Sequence, residues 1–355
     1  MALSKVNPNF VNQNLGRRNL VINGDMRVAQ RGSSAVTIGA SGDTFRADRF
    51  RIEQGGITAN NGTIEVVADA PTGFKYSTKL TGGSSVTQNS AGFAALSTRI
   101  EGSDLDHVGH GSSAAKNATL SFWVKSSVTG TYSLNMTKYD GTQERFHVKT
   151  YTISTANTWE YKTLTFSGDT SNTAVEWMRL YWQVGGDSGA YTNTTPDVWI
   201  NGAGAKRGTS SQPNFLGTSG ATFNLTGVQL EVGSVATDFE HRSYAEELAA
   251  CQRYYYKIGG TSDNRLSTQG TKWSSTHFIS IQHPVTMRAA PTFSLKDAGV
   301  LQLFNAGAAP SSTLVTAPML SKNFAEIEAS TSLAGASAFV RLTDVDDWIA
   351  FSAEL

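Results

Sequence analysis

The sequence predicts an all-β protein: a jelly-roll β-sandwich, one short helix, then a second, smaller antiparallel β-sandwich domain. Three observations carry that expectation. Apolar and polar residues alternate in many short runs, the period of a half-buried strand. Clusters of Gly, Ser, Thr and Asn separate those runs as turns. Within Ser243–Lys257, about ten residues contain no Gly, Pro or β-branched side chain, and this stretch reads as helix.

Residues 1–18 are polar and non-periodic, with apolar anchors only at Val6, Phe10, Val11 and Leu15. They suit an attachment arm that becomes ordered on a partner, or a frayed terminus. From Asn19 the strand pattern begins. "TLSFWVKS" (119–126) sets Leu120, Phe122 and Val124 on one face and Ser121, Trp123 and Lys125 on the other. "TYSLNMTKYD" and "QERFHVKTYTIS" flank an Asp140-Gly141 turn, as expected of a β-hairpin. "VEWMRLYWQV" (175–184) alternates Met178, Leu180, Trp182 and Val184 against Trp177, Arg179, Tyr181 and Gln183. "ATFNLTGVQLEVG" (221–233) reads as a further strand pair, and the Gly/Ser-rich 200–220 reads as a long surface loop. Together these make residues 19–242 a jelly roll.

Residues 243–256 form the helical joint. Ser243 and Glu246 make a Ser-x-x-Glu capping box, Glu246 and Glu247 suit the positive helix end, and Arg253 falls in the last turn. Tyr244, Leu248 and Cys251 repeat at helical spacing, and Tyr255 extends the stripe. Two to three turns are too short to be stable alone in water. The stripe therefore packs on a flanking β domain, or on symmetry-related copies around a threefold axis, with Cys251 as a small buried hydrophobe. The tyrosines lead into residues 257–355, where "THFISIQHPV", "MRAAPTFSL", "LQLFNAG", "NFAEIEAST", "SAFVRL" and "WIAFSAEL" restore the strand pattern. Ile349, Phe351, Ala353 and Leu355 alternate, which predicts a packed final strand.

Composition narrows the function classes. Lys plus Arg and Asp plus Glu each number 29 in 355 residues, so no net field favours nucleic acid or an anionic membrane. No apolar run reaches the roughly 18 residues of a membrane span. "MALSKVNPNFVNQNLGRRN" has no signal-peptide core. The single cysteine forbids an intrachain disulfide and fits folding in a reducing cytoplasm. A site of action outside the cell then requires exit by a route other than secretion.

Catalytic signatures are sparse. "GDSG" (186–189) has the letters of a serine-protease nucleophile loop, but no matching histidine segment precedes it, so it reads as a Gly-rich turn. "SDLDHVGHGSS" (103–113) gathers Asp104, Asp106, His107 and His110, which could ligate a metal, act as an acid–base pair, or simply be solvated. Their spacing matches no zinc pattern, and the chain has no phosphate-binding loop and no His-Glu-x-x-His. The expectation is a non-enzyme with no metal and no cofactor. The aromatic residues point elsewhere. Trp123, Trp177 and Tyr181 lie opposite the expected core with Lys125, Arg179 and Gln183. Rings that stack on sugar C–H faces, beside side chains that bond hydroxyls, suit glycan binding. The alternative is that loops or subunits bury these faces.

Three segments carry a resemblance: "RRNLVINGDMRVAQRG" (17–32) with "DTFRADRFR" (43–51), "LTGVQLEVGSVATDFEHRSYAEELAACQRYYYK" (225–257), and "HPVTMRAAPTFSL" (283–295). Together they resemble virion fibre proteins of tailed bacteriophages with a carbohydrate-binding-module-like jelly roll, over most of residues 17–295. The resemblance implies a non-catalytic homotrimer on the virion exterior, assembled in the host cytoplasm and released by lysis. It implies a short tail fibre or appendage, joined to tail or capsid proteins through residues 1–18 and attaching to host surface polysaccharide. A capsid-mounted head fibre or decoration protein is the alternative within that class. A glycan-degrading enzyme is the alternative outside it, and would call for a β-helical body or clustered carboxylates. Related modules often hold a structural calcium between an "NxxxNGD" strand (Asn19–Asp25) and a "GVQLE" strand, which would make Asp25 and Glu231 the ligands. Here Arg27 stands where an acidic residue usually follows.

Overall fold

The structure, a computed structural model, describes residues 17–39, 42–57, 62–83, 88–171, 175–185, 195–202, 207–210, 212–259, 265–296, 301–304, 311–312, 315–330, 337–342 and 346–355. The arm residues Val6, Phe10, Val11 and Leu15 and the "GDSG" tetrapeptide lie outside these. The chain divides into two compact units, Met1–Arg242 and Ser243–Leu355. Both are all-β, as expected. No helix among the described residues is long and apolar enough to cross a membrane.

The first unit holds two antiparallel sheets. One runs β1 (Val36–Thr37), β4 (Thr63–Val67), β5 (Ser77–Thr81), β13 (Thr222–Val232), β7 (Ala118–Ser126), β10 (Glu160–Phe166). The other runs β12 (Trp199–Asn201), β9 (Glu144–Ile153), β8 (Gly130–Tyr139), β11 (Trp177–Gln183), β6 (Gln88–Glu101), β3 (Phe50–Ile57), β2 (Gly42–Phe45). Strands consecutive in the chain pass repeatedly from one sheet to the other, so the core is sealed by crossovers. Leu120, Phe122 and Val124 of β7 face Met178, Leu180 and Trp182 of β11 in one buried cluster. Phe122 meets Trp182 edge to face at 5.6 Å, locking the sheets together. Each such side chain contributes about 1.5–3 kcal/mol by leaving water.

The Asp140-Gly141 hairpin forms between β8 and β9, where Tyr139 pairs with Glu144. The Asp140 carboxylate accepts the N–H groups of Thr142 at 2.8 Å and Gln143 at 2.6 Å, fixing the turn.

Three sequence expectations are corrected. "ATFNLTGVQLEVG" is one strand, β13, with a register shift between Thr226 and Gln229 where Gly227 makes a bulge. The "NxxxNGD" segment is a turn, not a strand. Its Asn19 Oδ1 accepts the N–H groups of Val21 and Leu230, Asn23 Nδ2 donates to the carbonyls of Val28 and Asp48, and Gly24 O accepts the Val228 N–H. A Cβ on Gly24 would lie 2.1 Å from the Val228 oxygen, so only glycine admits this approach. The stretch 200–220 is not simply a surface loop. Phe215 and Leu216 are fully buried, and Gln212 bonds the Ser133 N–H and the Gln183 carbonyl.

The unit's first and last segments are clasped. Glu240 accepts the backbone N–H groups of Arg18 at 3.0 Å and Asn19 at 2.9 Å, and Arg242 bonds both Glu240 and the Asn19 carbonyl. Burial raises the Glu240 carboxyl, but these donors outweigh it and hold it below its ordinary range.

In the second unit, helix α1 (Tyr244–Gln252) opens with the expected capping box. Ser243 Oγ accepts the Glu246 N–H at 3.2 Å and Glu246 accepts the Ser243 N–H at 2.9 Å. Its buried row differs from the stripe read in the sequence. Cys251 and Tyr255 are buried, but Tyr244 is 55% exposed and Leu248 only half-buried, while Glu247 and Tyr254 are buried. The buried residues of α1 are thus Glu247 and Cys251, with Tyr254 and Tyr255 buried just beyond its end. Apolarity alone does not say which neighbouring row meets the protein.

Beyond the helix, β14 (Tyr255–Gly259), β23 (Trp348–Ser352) and β17 (Thr292–Leu295) form one sheet. The second runs β19 (Ser311–Ser312), β18 (Leu301–Phe304), β22 (Ser337–Leu342), β15 (Arg265–Trp273), β16 (Thr276–Gln282), β21 (Phe324–Ser330), β20 (Val315–Leu320). Ile279, Ile281, Ile327, Ile349 and Phe351 share its core. Ala353 is buried as the alternation predicted, with its N–H on the Tyr254 carbonyl at 2.7 Å.

Candidate functional site

The six residues read as one glycan-binding face are divided by the fold. Trp123 and Lys125 lie on β7 in the six-stranded sheet, whereas Trp177, Arg179, Tyr181 and Gln183 lie on β11 in the seven-stranded sheet. The outer faces of a sandwich point in opposite directions, so the two groups cannot meet one ligand.

The β11 group is also covered. Arg179 is 6% exposed, and Tyr181 and Gln183 are each 1% exposed; only Trp177 is partly open. Their surroundings form a charge network on Glu53, which accepts Arg51 at 2.7 Å, Arg179 at 3.0 Å, the Ser97 hydroxyl at 2.6 Å and the Tyr181 hydroxyl at 2.9 Å. Arg99 lies 3.9 Å from the same carboxylate, and Asp43 holds Arg51 at 3.0 Å. Arg207 stacks over Phe93 and Tyr181 at 4.0 and 5.1 Å. Burial would raise the Glu53 carboxyl, yet Arg179, Arg51 and Ser97 together hold it below its ordinary range. Burial pulls Arg99 down to about 10 and Arg179 to about 9, which leaves both charged at neutral pH. Arg179 and Tyr181 thus belong to a buried ionic lattice, with Trp177 and Asp43 at its open edge.

The β7 group opens onto a cleft of about 850 Å³. Strand register builds its floor. Tyr161 of β10 pairs with Trp123, Thr163 with Ser121 and Thr165 with Thr119, so two rings and four hydroxyl-bearing side chains share one face. Trp123 and Tyr161 lie 5.3 Å apart at 48°, and Tyr161 is 44% exposed. One wall combines residues 234–239 and His241 with Thr72, Gly73 and Phe74. Phe74, Phe239 and His241 pack on one another at 4.9–5.4 Å and stiffen that wall. Lys125 extends the row, bonded to Asp69 and 5.2 Å over Trp159. Burial raises the Asp69 carboxyl, but the Lys125 ammonium, with Trp159 and Lys79, outweighs it and holds the group below its usual range.

Trp123 was legible from strand alternation. Tyr161, Phe74, Phe239 and His241 were not, since they come from three distant segments. The one usable signal was Gly227 inside a strand pattern, which marks a bulge or close approach. Gly227 has φ +62°, and a Cβ there would lie 2.8 Å from Phe74 and 2.9 Å from Trp123. Gly227→Ala is therefore expected to cost about 1–2 kcal/mol in urea unfolding from its left-handed backbone alone, and to shift the Trp123 ring. An unchanged midpoint and unchanged near-UV dichroism would refute this.

The residues that calcium would need are otherwise engaged. Arg27 pairs with Asp25 and bonds the Arg242 carbonyl at 3.0 Å. Glu231 accepts the Thr237 N–H at 2.8 Å, the Thr237 hydroxyl at 2.7 Å and Gln229 at 3.1 Å. Arg27 thus holds one oxygen of Asp25 and Thr237 holds Glu231, while the second Asp25 oxygen is buried without a partner. Among the described residues no group of three or more His, Cys, Asp or Glu could hold a metal. In the Asp104–His110 stretch, Gly102–Val108 is a 3-10 helix with Leu105 and Val108 buried, and His110 packs against Trp199 at 6.1 Å. His110 is thus half-buried, not simply solvated.

No family model matches the chain, and no curated protein matches it. Solved structures are similar at low scores. The enzymatically active domain of bacteriophage CBA120 tailspike protein 4 aligns over 60% of this chain at 15% identity and TM-score 0.33, so this chain spans 21% of that one's length. The TmCBM61 module in complex with β-1,4-galactotriose aligns over 61% of this chain and 99% of its own, at 12% identity and TM-score 0.30. The N-terminal CBM22-1–CBM22-2 tandem domain of Paenibacillus barcinonensis Xyn10C aligns over 96% and 99%, at 12% identity and TM-score 0.30. Scores in this range assign the chain to no family.

Proposed function

We propose that this chain is a non-catalytic, adhesive virion protein of a tailed phage, a short tail fibre or appendage that attaches to host surface glycans through the β7–β10 cleft. One observation carries the reading: two adjacent aromatic rings, one of them 44% exposed, share an open cleft with the accessible Thr163 and Thr165. Sugar C–H faces stack on such rings while their hydroxyls bond Ser and Thr, and no nucleophile–base pair is needed to hold a chain there. The resemblance of residues 17–32, 225–257 and 283–295 to phage fibre proteins supplies the virion setting. In this proposal residues 1–18 attach to the particle and the chain is a homotrimer, with the exposed Tyr244 of α1 available for the threefold contact.

Trp123→Ala combined with Tyr161→Ala is expected to weaken adsorption to host cells or their purified polysaccharide about tenfold or more, from the loss of two stacking rings. Unchanged adsorption would reject the cleft and move attention to the second unit. Light scattering of the purified protein should return three times the 38.0 kDa chain mass. A monomer at micromolar concentration would dismiss the trimer.

A further inference from the structure

The cleft's charge is as informative as its rings. Its lining includes one carboxylate, Asp238, and neither lysine nor arginine. Asp238 is exposed, and among the described residues no side chain pairs with its carboxylate. Arg18 reaches Asp238, but at the backbone carbonyl, 2.6 Å away, and it is also 3.7 Å from Glu231. Lys125, beyond the cleft's aromatic end, is bound to Asp69. Of the arginines on the opposite sheet, Arg51, Arg99 and Arg179 gather on Glu53 and Arg145 pairs with Asp169. The other polar groups of the lining residues are hydroxyls, backbone, the Trp123 indole N–H and the His241 ring.

A carboxylate, sulfate or phosphate on a bound sugar would therefore lose its water without gaining a lysine or arginine, and would meet the field of Asp238. Sites for anionic sugars place arginine or lysine at hydrogen-bond distance. A neutral ring has no such penalty: it can stack on Trp123 and Tyr161 and bond the exposed Thr163 and the half-buried Thr165. We propose that the cleft selects uncharged glycans, with Asp238 as a specificity-determining residue that excludes acidic ones through repulsion. The inference rests on the glycan reading above and narrows its ligand class.

The test is an array of neutral and acidic bacterial polysaccharides, probed with the full chain at about 20 mM and 500 mM NaCl, with Asp238→Asn and the Trp123→Ala/Tyr161→Ala variant in parallel. The retained glycans should be neutral. Acidic chains of similar backbone should bind at least tenfold more weakly at low salt, and both Asp238→Asn and high salt should narrow that gap. Equal or tighter binding of acidic chains overturns the selectivity, as does a gap that Asp238→Asn leaves unchanged. If acidic chains bind and the ring variant abolishes it, the cleft reading stands and the selectivity alone falls. If no glycan is retained, or the ring variant binds like the parent, the glycan reading fails and the inference with it.

Discussion

Glu53→Ala is expected to destabilise the first unit by about 3–5 kcal/mol, the cost of removing one partner from a buried ionic cluster. The carboxylate accepts four groups: Arg51, Arg179, Ser97 and Tyr181. Without it, Arg179 loses the acceptor for its buried guanidinium, and two buried hydroxyls lose theirs. Arg51 keeps Asp43 at 3.0 Å, so the effect concentrates on Arg179. Glu53→Gln should cost less, because hydrogen bonds survive where the charge does not. Joint replacement by Glu53→Leu and Arg179→Met should recover part of the loss, since apolar side chains of similar volume need no counter-charge. Urea unfolding of the three variants gives the ranking. A change below about 1 kcal/mol for Glu53→Ala would mean that the cluster is hydrated and the face open, contrary to the burial of Arg179 and Tyr181.

Acid should weaken the same unit through its buried imidazoles. His147 is 1% exposed, with its ring edge-on to Phe166 and Trp199 and its Nδ1 without a partner. Burial, and then the charge of Lys149, pushes it down to about 4. Burial, and then Lys138, does the same to His110, also to about 4. The unfolded chain takes up these protons near pH 6.5, whereas the folded chain resists until about pH 4. Stability is therefore complete above about pH 6.5 and falls as pH drops toward 4, by on the order of 3 kcal/mol for His147 and less for the half-exposed His110. Asp169 does not share this window. Burial raises it, but Arg145 and Lys138 outweigh that and keep it ionised to lower pH. Urea midpoints at pH 7 and pH 4.5 measure the difference, and His147→Asn should flatten it. Equal midpoints for the parent protein would show that neither imidazole is held neutral by the fold.

Local features of the fold were legible and long-range ones were not. Leu120, Phe122 and Val124 announced their core face because a strand alternates with period two. Asp140-Gly141 and Ser243-x-x-Glu246 announced a turn and a cap because both act within four residues. The exposure of β11 was misread for a related reason. Alternation says that Arg179, Tyr181 and Gln183 point away from the core, but not that Glu53, 126 residues from Arg179, waits on that side. Likewise Trp123 was visible as an outward ring, but its partner Tyr161 depends on β10 pairing with β7 in one register. Phe74, Phe239 and His241 reach the same cleft only because Gly227 lets rings cross β13. In α1 the cap was visible, yet the buried row falls on Glu247 where an apolar stripe pointed to Tyr244. A carboxylate in a buried row is invisible to a hydropathy pattern.

The clasp made by Glu240 and Arg242 on Arg18 and Asn19 has a mechanical consequence. The polypeptide enters and leaves the sandwich at one point, so a pull applied across the unit is taken up between these few residues. Tension passes along the clasp and bypasses the sheets behind it. One wall of the cleft belongs to the same stretch of chain, because residues 234–239 and His241 flank Glu240 and Arg18 also bonds the Asp238 carbonyl, so strain on the connection reaches that wall first. The paired strands that carry Trp123 and Tyr161 stay off the line of force until the clasp gives way.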